Sequence, residues 1–233
     1  MKKLSSILLM AGLMFLLAAC GSDNASSTDS KDTSSKKTEQ QEQAKEESSS
    51  DTSKLTTEQK KEIYEHTEDE FGDYFLIGAY TEEGQDGDYS FLSASFDNFT
   101  VHTIPTLVEI DLNDESKEME QFSGKDTVRA IVLEIESEND NDYNFSYEGK
   151  ATAVTDTGAE LTGFTSPDST LAKEYKEEDY GEYGYIYFLL DDISAEPKEL
   201  EITFEAPQRD GEPISEPQTV KQDNYIPGQD MEI

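Results

Sequence analysis

Apolar and polar residues alternate with a period of two through much of the chain. In ELEITFE (199–205), Leu200, Ile202 and Phe204 fall on one side, with glutamates and Thr203 on the other. That is the pattern of a strand with one buried face. TVRAIVLEIE (127–136) places Ile131, Leu133 and Ile135 together, YNFSYE (143–148) alternates Tyr143, Phe145 and Tyr147, and KATAVTD (150–156) follows Gly149. YGYIYFLLD (183–191) is apolar on both sides, as expected of a central strand covered on two faces. Earlier in the chain, DYFLIGAY (73–80) and YSFLSASF (89–96) flank a polar, glycine-containing loop and predict a hairpin. NFTVHTI (98–104) runs into Pro105, and a separate strand TLVEIDL (106–112) follows. Asp210-Gly211 is a hairpin signal leading to Gln218–Gln222, while Asn113–Gly124 and Ser166–Asp179 read as long loops.

Before the strands, Thr56–Gly72 has Thr56 and Gln59 at capping-box spacing and no internal proline or glycine. It predicts a short helix stopped at Gly72, with a thin apolar face in which Ile63 and Tyr64 are the main members. Short strands separated by turn signals about every 8–12 residues favour a mostly β fold, an antiparallel β-sandwich behind a short N-terminal helix.

The first residues read as an address. Met1–Lys3 is positive, Leu4–Ala19 is a compact apolar run, and GSDNASSTDS follows Cys20 without a basic flank. The run is shorter than the about 20 residues that a spanning helix needs, and the three-part pattern is that of a secretory signal. Leu17-Ala18-Ala19-Cys20-Gly21 resembles a bacterial lipobox. The resemblance implies cleavage between Ala19 and Cys20, a diacylglycerol on Cys20, and anchoring on the outer face of the cytoplasmic membrane. Two acyl chains suffice for a stable anchor. Cys20 is the one cysteine of the chain, so a lipidated protein would have no thiol and no disulfide. Gly21–Lys54 contains no aromatic residue and predicts a disordered spacer, similar to those of Gram-positive lipoproteins, with a reach of about 30–35 Å. The expected organisation is a signal peptide over 1–19, the lipidated cysteine and spacer over 20–55, a helix over 56–72, the β domain over 73–224 and a tail over 225–233.

The run GKDTVRAIVLEIESENDNDYNFSYEGKATAVTDTGAEL (124–161) joins a long apolar strand, an Asn/Asp turn, an aromatic strand and a small-residue strand ending in a D-x-G turn. With ELEITFEAP (199–207) some 40 residues on, it resembles the immunoglobulin-like domains of unknown function in secreted Gram-positive lipoproteins, over about Phe96–Gln222. That resemblance implies an immunoglobulin-like sandwich and an extracellular role, and no site residues. DYGEYGY (179–185) is similar to a tyrosine-corner strand, with Tyr185 where cysteine would stand.

Charge narrows the partners. With 53 acidic residues against 18 basic ones the net charge is −35, which opposes nucleic acid and anionic surfaces and favours bulk cations or a basic envelope protein or peptide; solubility in a salty or alkaline habitat is the plainer reading. Tyr183, Tyr185 and Tyr187 alternate along one strand and are candidates for an aromatic binding face, though strand propensity and cross-strand pairing are the plainer reading of them. Glu138, Asp140, Asp142 and Asn144 make an oxygen-rich turn, the candidate calcium site, though the turn lacks the glycine and the final glutamate of an EF-hand loop. His66 and His102 are the only histidines and do not make a transition-metal set. With no G-x-S-x-G motif, no catalytic residue and no cofactor emerges. The sequence therefore reads as a lipid-anchored extracellular binding module. A carboxylate-based envelope glycan hydrolase and a calcium-dependent adhesion protein are the alternatives.

Overall fold

In the computed structural model, residues 52–81, 89–177, 179 and 181–231 are described. The chain divides into two units. The first, Met1–Glu42, lies wholly outside the described residues, and the fold belongs to the second, Gln43–Ile233. The signal segment, its cleavage site at Ala19 and Cys20, and lipidation at Cys20 thus fall outside the described residues.

A capping box starts the first helix: Thr56 Oγ accepts from the Gln59 N–H while the Gln59 side chain accepts from the Thr56 N–H. The helix, α1 (Thr57–Ile63), is shorter than the expected Thr56–Gly72. Its one buried residue is Lys60, so no apolar stripe holds further turns, and seven residues cannot sustain a helix in water unaided. Tyr64 is already extended, and the next residues become β1 (His66–Asp69), which pairs with β2 (Gly72–Tyr80). Upstream, Thr52–Lys54 forms a 3-10 turn with Thr52 buried. Thr52–Lys54, expected as part of the spacer, thus belongs to the described fold.

β3 (Leu92–Phe96) and β4 (Phe99–Leu112) make a tight hairpin across Asp97-Asn98, with Asp97 in the left-handed region at φ 55°. The hairpin expected between 73–80 and 89–96 does not form. β3 and β2 instead lie in succession along one side of β4, β3 pairing with Phe99–Thr103 and β2 with Thr106–Leu112. β4 is one strand of 14 residues and does not break at Pro105. The proline falls in the step between those two neighbours, where an N–H is least needed. The expected loop at 113–124 carries α2 (Asp114–Lys117), capped by Asn113, and a 3-10 turn that buries Phe122.

β5 (Thr127–Asn139) pairs with β4 along 13 residues. There follow β6 (Phe145–Tyr147), β7 (Ala151–Thr155), β8 (Glu160–Thr162), β9 (Phe164–Thr165) and β10 (Lys173–Tyr175), the last inside a segment expected as loop. β11 (Tyr183–Leu190), β12 (Leu200–Phe204), β13 (Gln208–Arg209), β14 (Glu212–Pro213), β15 (Gln218–Gln222) and β16 (Tyr225–Pro227) complete the chain. Asp210 and Gly211, both at positive φ, make the expected β13–β14 turn. The tail expected from 225 begins inside the sheet, since β16 pairs with β2. Gly78 makes room for it: a Cβ there would lie 2.5 Å from the Tyr225 ring.

Among the described residues the architecture is mostly β, with three antiparallel sheets. An eight-stranded sheet runs β1-β2-β4-β5-β11-β9, with β3 on β4 and β16 on β2; two four-stranded sheets run β10-β6-β13-β14 and β15-β12-β7-β8. One face of the large sheet shares a core with both small ones. Phe75, Phe99, Val101, Leu107, Ile131, Leu133, Ile186 and Phe188 meet Phe145 and Tyr147 of β6, Ala153 of β7, and Ile202 and Phe204 of β12. At about 1.5–3 kcal/mol for each large apolar side chain, this core outweighs any local preference and fixes the register. The opposite face is covered over one half alone, where Phe71, Tyr74, Val108, Ile110, Phe122, Val128, Val132 and Tyr187 form a second core.

Candidate functional site

The uncovered half of that opposite face is where β11, β5, β4 and β3 lie side by side. Register sets its rows. Tyr183 is opposite Glu136, Glu136 opposite His102, and His102 opposite Ser93. The next row along runs Tyr185, Glu134, Ile104; on the other flank Glu138 is opposite Thr100, and Thr100 opposite Ser95. Because strand side chains alternate, all of these emerge on one face. Contacts across the strands agree: the Tyr185 hydroxyl donates to Glu134 Oε1 at 3.4 Å, His102 Nδ1 meets Ser93 Oγ at 2.8 Å, and Ser95 Oγ meets Thr100 Oγ1 at 3.0 Å.

The entry of β11 is shaped by a close approach. A Cβ on Gly181 would lie 1.2 Å from the Ser137 carbonyl oxygen, so only glycine lets the chain pass there. Beyond it, the Glu182 N–H donates to Ser137 Oγ at 2.9 Å and the Ser137 N–H to the Glu182 carbonyl at 3.1 Å. These bonds aim Tyr183 outward, 56% exposed, which departs from the packed ring of a tyrosine corner.

Electrostatically the face is an unneutralised strip. Burial, then the charges of Asp69 and Glu136, push the Glu134 carboxyl above the ordinary range, with the Tyr185 hydrogen bond opposing them. Glu134 remains exposed by surface area, so its neighbours crowd it without enclosing it. The Tyr185 phenol is pushed up to about 12 by burial and by Glu134 and Asp69. Glu70, at the end of β1, is raised by burial first, with Asp69 and Asp168 adding to it. Among the described residues no lysine or arginine pairs with Glu134 or Glu136; His102 Nε2 reaches Glu138 Oε2 at 3.7 Å.

The sequence candidates divide. Tyr183 and Tyr185 share the open face, while Tyr187 is interior, stacked on Phe164 at 5.4 Å and edge-on to Phe71 at 5.2 Å. The aromatic face is therefore two rings long. Glu138 lies on the same face, but Asp140, Asp142 and Asn144 follow the end of β5 as exposed turn residues, and Asn144 Oδ1 accepts the Glu177 N–H at 3.1 Å. The buried members of that turn are Asn139 and Asn141. Among the described residues, no three His, Cys, Asp or Glu side chains converge as a metal site would require. The sequence does not single out Glu134 and Glu136, for which the alternation in LEIESEN (133–139) is the available signal, and it offers His102 only as one of two isolated histidines.

A second constellation lies beneath α1, on the sheet's other face. Glu109 and Arg129 are opposite on β4 and β5, both 0% exposed, with Nη2 donating to Oε2 at 2.8 Å. Lys60, 4% exposed, brings its ammonium to 2.7 Å from Glu109 Oε1 and 2.6 Å from Asp111 Oδ1, and lies 5.4 Å from the Phe75 ring centroid. The Glu109 contact is off the hydrogen-bond direction, so Oε1 has a counter-charge and no directed proton. Thr57 and Thr127 donate to Asp111 at 2.7 and 2.9 Å, and Thr52 bridges Glu109 and Arg129. A cleft of about 450 Å³ opens beside it, with Leu55, Lys117, Asp126 and Ile193 in its walls.

No protein-family model matches the chain, and no curated protein does either. Among solved structures, the chain is similar to a functionally unknown protein from Listeria monocytogenes EGD-e, at 12% identity and TM-score 0.44, covering 78% of this chain and 97% of that one.

Proposed function

We propose that this chain is a non-catalytic binding module of the bacterial cell envelope that docks a cationic, extended polypeptide on the open half of its large sheet. The observation that carries the reading is the row of Glu134 and Glu136 beside Tyr183 and Tyr185, uncovered while the rest of that face is packed. Alternate residues on a strand are about 6.8 Å apart, and an extended partner offers its own alternate side chains at the same repeat. Lysine or arginine side chains at that spacing would meet a carboxylate and the face of a tyrosine together. Crowding at Glu134 already disfavours its charge, and a cation relieves that cost. The chain's net charge of −35 would speed such an encounter at low salt.

The lipobox-like Leu17–Gly21 supports anchoring through Cys20 on the outer face of the cytoplasmic membrane. The core shared by the large sheet with β6, β7 and β12 supports an immunoglobulin-like arrangement. The test is calorimetric titration with an extended peptide alternating lysine and threonine, at low salt and at about 0.3 M. Saturable binding that persists at high salt in the wild type, and is lost when Tyr183→Ala and Glu136→Gln are combined, supports the reading. Equal binding by that variant sinks it.

A further inference from the structure

The segment Thr52–Ile63 is attached to the sheet in an unusual way. Backbone hydrogen bonds run within it: the Leu55 N–H donates to Thr52, the Lys60 N–H to Thr56 and the Tyr64 N–H to Lys60. The side chains of Thr52, Thr57, Lys60 and Lys61 bind it to the domain, and the residue it buries most deeply in α1 is a lysine. The charges match across the contact. Glu109, Asp111 and Asp73 of the sheet carry three negative charges against one positive on Arg129, and Lys60 and Lys61 supply the two that are missing. Lys61 reaches Asp73 at 2.9 Å. Glu196, 3.9 Å from the Arg129 guanidinium, has its own cation in Lys198 at 3.1 Å.

A contact made this way has two properties. Buried ion pairs return little net stability once desolvation is counted, so the segment is held less firmly than an apolar helix of equal length. Breaking one partner is nonetheless costly, so the site discriminates strongly for an ammonium group. The sheet residues under Lys60 make a receptor for one: two carboxylates within 2.7 Å, an aromatic ring, Thr127, whose hydroxyl orients Asp111, and a buried Glu109 oxygen with no directed hydrogen bond. The helix that fills it is too short to persist when lifted off.

We propose that Thr52–Ile63 is a reversible strap, and that the surface beneath it is a lysine-accepting site, occupied in cis by Lys60 and open to an equivalent lysine-bearing helical segment when the strap lifts. This site lies on the opposite face of the sheet from the open tyrosine–glutamate strip, and it stands whether or not that strip binds a partner.

Hydrogen exchange on the full chain tests the first half. Amides 56–64 are expected to exchange at least about tenfold faster than those of Glu109 and Arg129, through an opening that leaves the sheet closed. Exchange of the strap in step with β5 overturns the proposal. Lys60→Ala tests the second half. It should expose the strap amides fully, keep β5 protected, and bind a synthetic peptide of residues 52–64 saturably. The same peptide carrying Lys60→Met should bind at least about tenfold more weakly. A variant with β5 protected that fails to bind the wild-type peptide, or binds both peptides alike, overturns the lysine-accepting site. Should Lys60→Ala not fold, the wild-type exchange pattern decides, together with competition by the two peptides for strap protection in the wild-type chain.

Discussion

Glu109 and Arg129 stand directly opposite one another on β4 and β5, 2.8 Å apart, with neither side chain reaching solvent. Each compensates the other for leaving water, with the Lys60 ammonium, 2.7 Å away, as a second counter-charge to Glu109. Removing one leaves the other buried and under-compensated, at a cost of about 3–5 kcal/mol, whereas replacing both by apolar groups of similar size costs far less. Glu109→Gln and Arg129→Met should each lower stability by that order in denaturant unfolding. Glu109→Leu combined with Arg129→Met should recover a large part of either loss. Additive losses would mean that the two residues do not form an energetic unit.

Asp111 gives the strap a pH dependence of definite sign. Burial raises its carboxyl pKa, but hydrogen bonds from Lys60, Thr57 and Thr127 outweigh it and hold the value below the ordinary aspartate range. A depressed folded value means that its contribution is complete above the unfolded value of about 3.9 and is lost as pH falls through the folded one. Strap protection measured by hydrogen exchange should therefore be level from pH 7 to about 5 and fall below about 3.9. In Asp111→Asn the strap should be weakened throughout, with the acid-dependent fall reduced.

Glu134 has the opposite sign. Its raised value means that ionisation at neutral pH opposes folding, and that the penalty disappears as the group is protonated. Glu134→Gln should raise Tm at pH 7 and change it little near pH 4. A lower Tm at pH 7 would show that its bond from Tyr185 outweighs the crowding.

The two ends of the tyrosine row should separate cleanly. Tyr187, packed between Phe164 and Phe71, should cost about 3–5 kcal/mol when cut to alanine, as other buried aromatic rings do. Tyr183 is exposed, and Tyr183→Ala should change stability by no more than about 0.5 kcal/mol. Comparable losses at both positions would mean that Tyr183 is packed.

These outcomes mark where the sequence was legible. The alternation in 127–136 locates Ile131, Leu133 and Ile135 in the core, and by the same token sends Glu134 and Glu136 to the other side. Nothing local reveals that Tyr183 stands opposite Glu136, since that depends on the register of strands 47 positions apart. The Asp97-Asn98 turn was hidden because it contains no glycine, and the glycine-rich 82–88 segment drew the hairpin to the wrong strand pair. α1 is shorter than its strong cap suggests because its stop is tertiary: pairing of His66–Asp69 with β2. Arg129 inside an apolar run carried a signal of buried charge, but its partners Glu109 and Lys60 come from two other elements.

The open tyrosine–glutamate strip is the proposed docking face. Its most direct test is residue-resolved NMR titration of the chain with a lysine-bearing extended peptide at about 0.3 M salt, where long-range charge is screened. The expected result is saturable shift changes concentrated at Tyr183, Tyr185, Glu134, Glu136 and His102. Changes spread evenly over the acidic surface, or centred elsewhere, would contradict the claim.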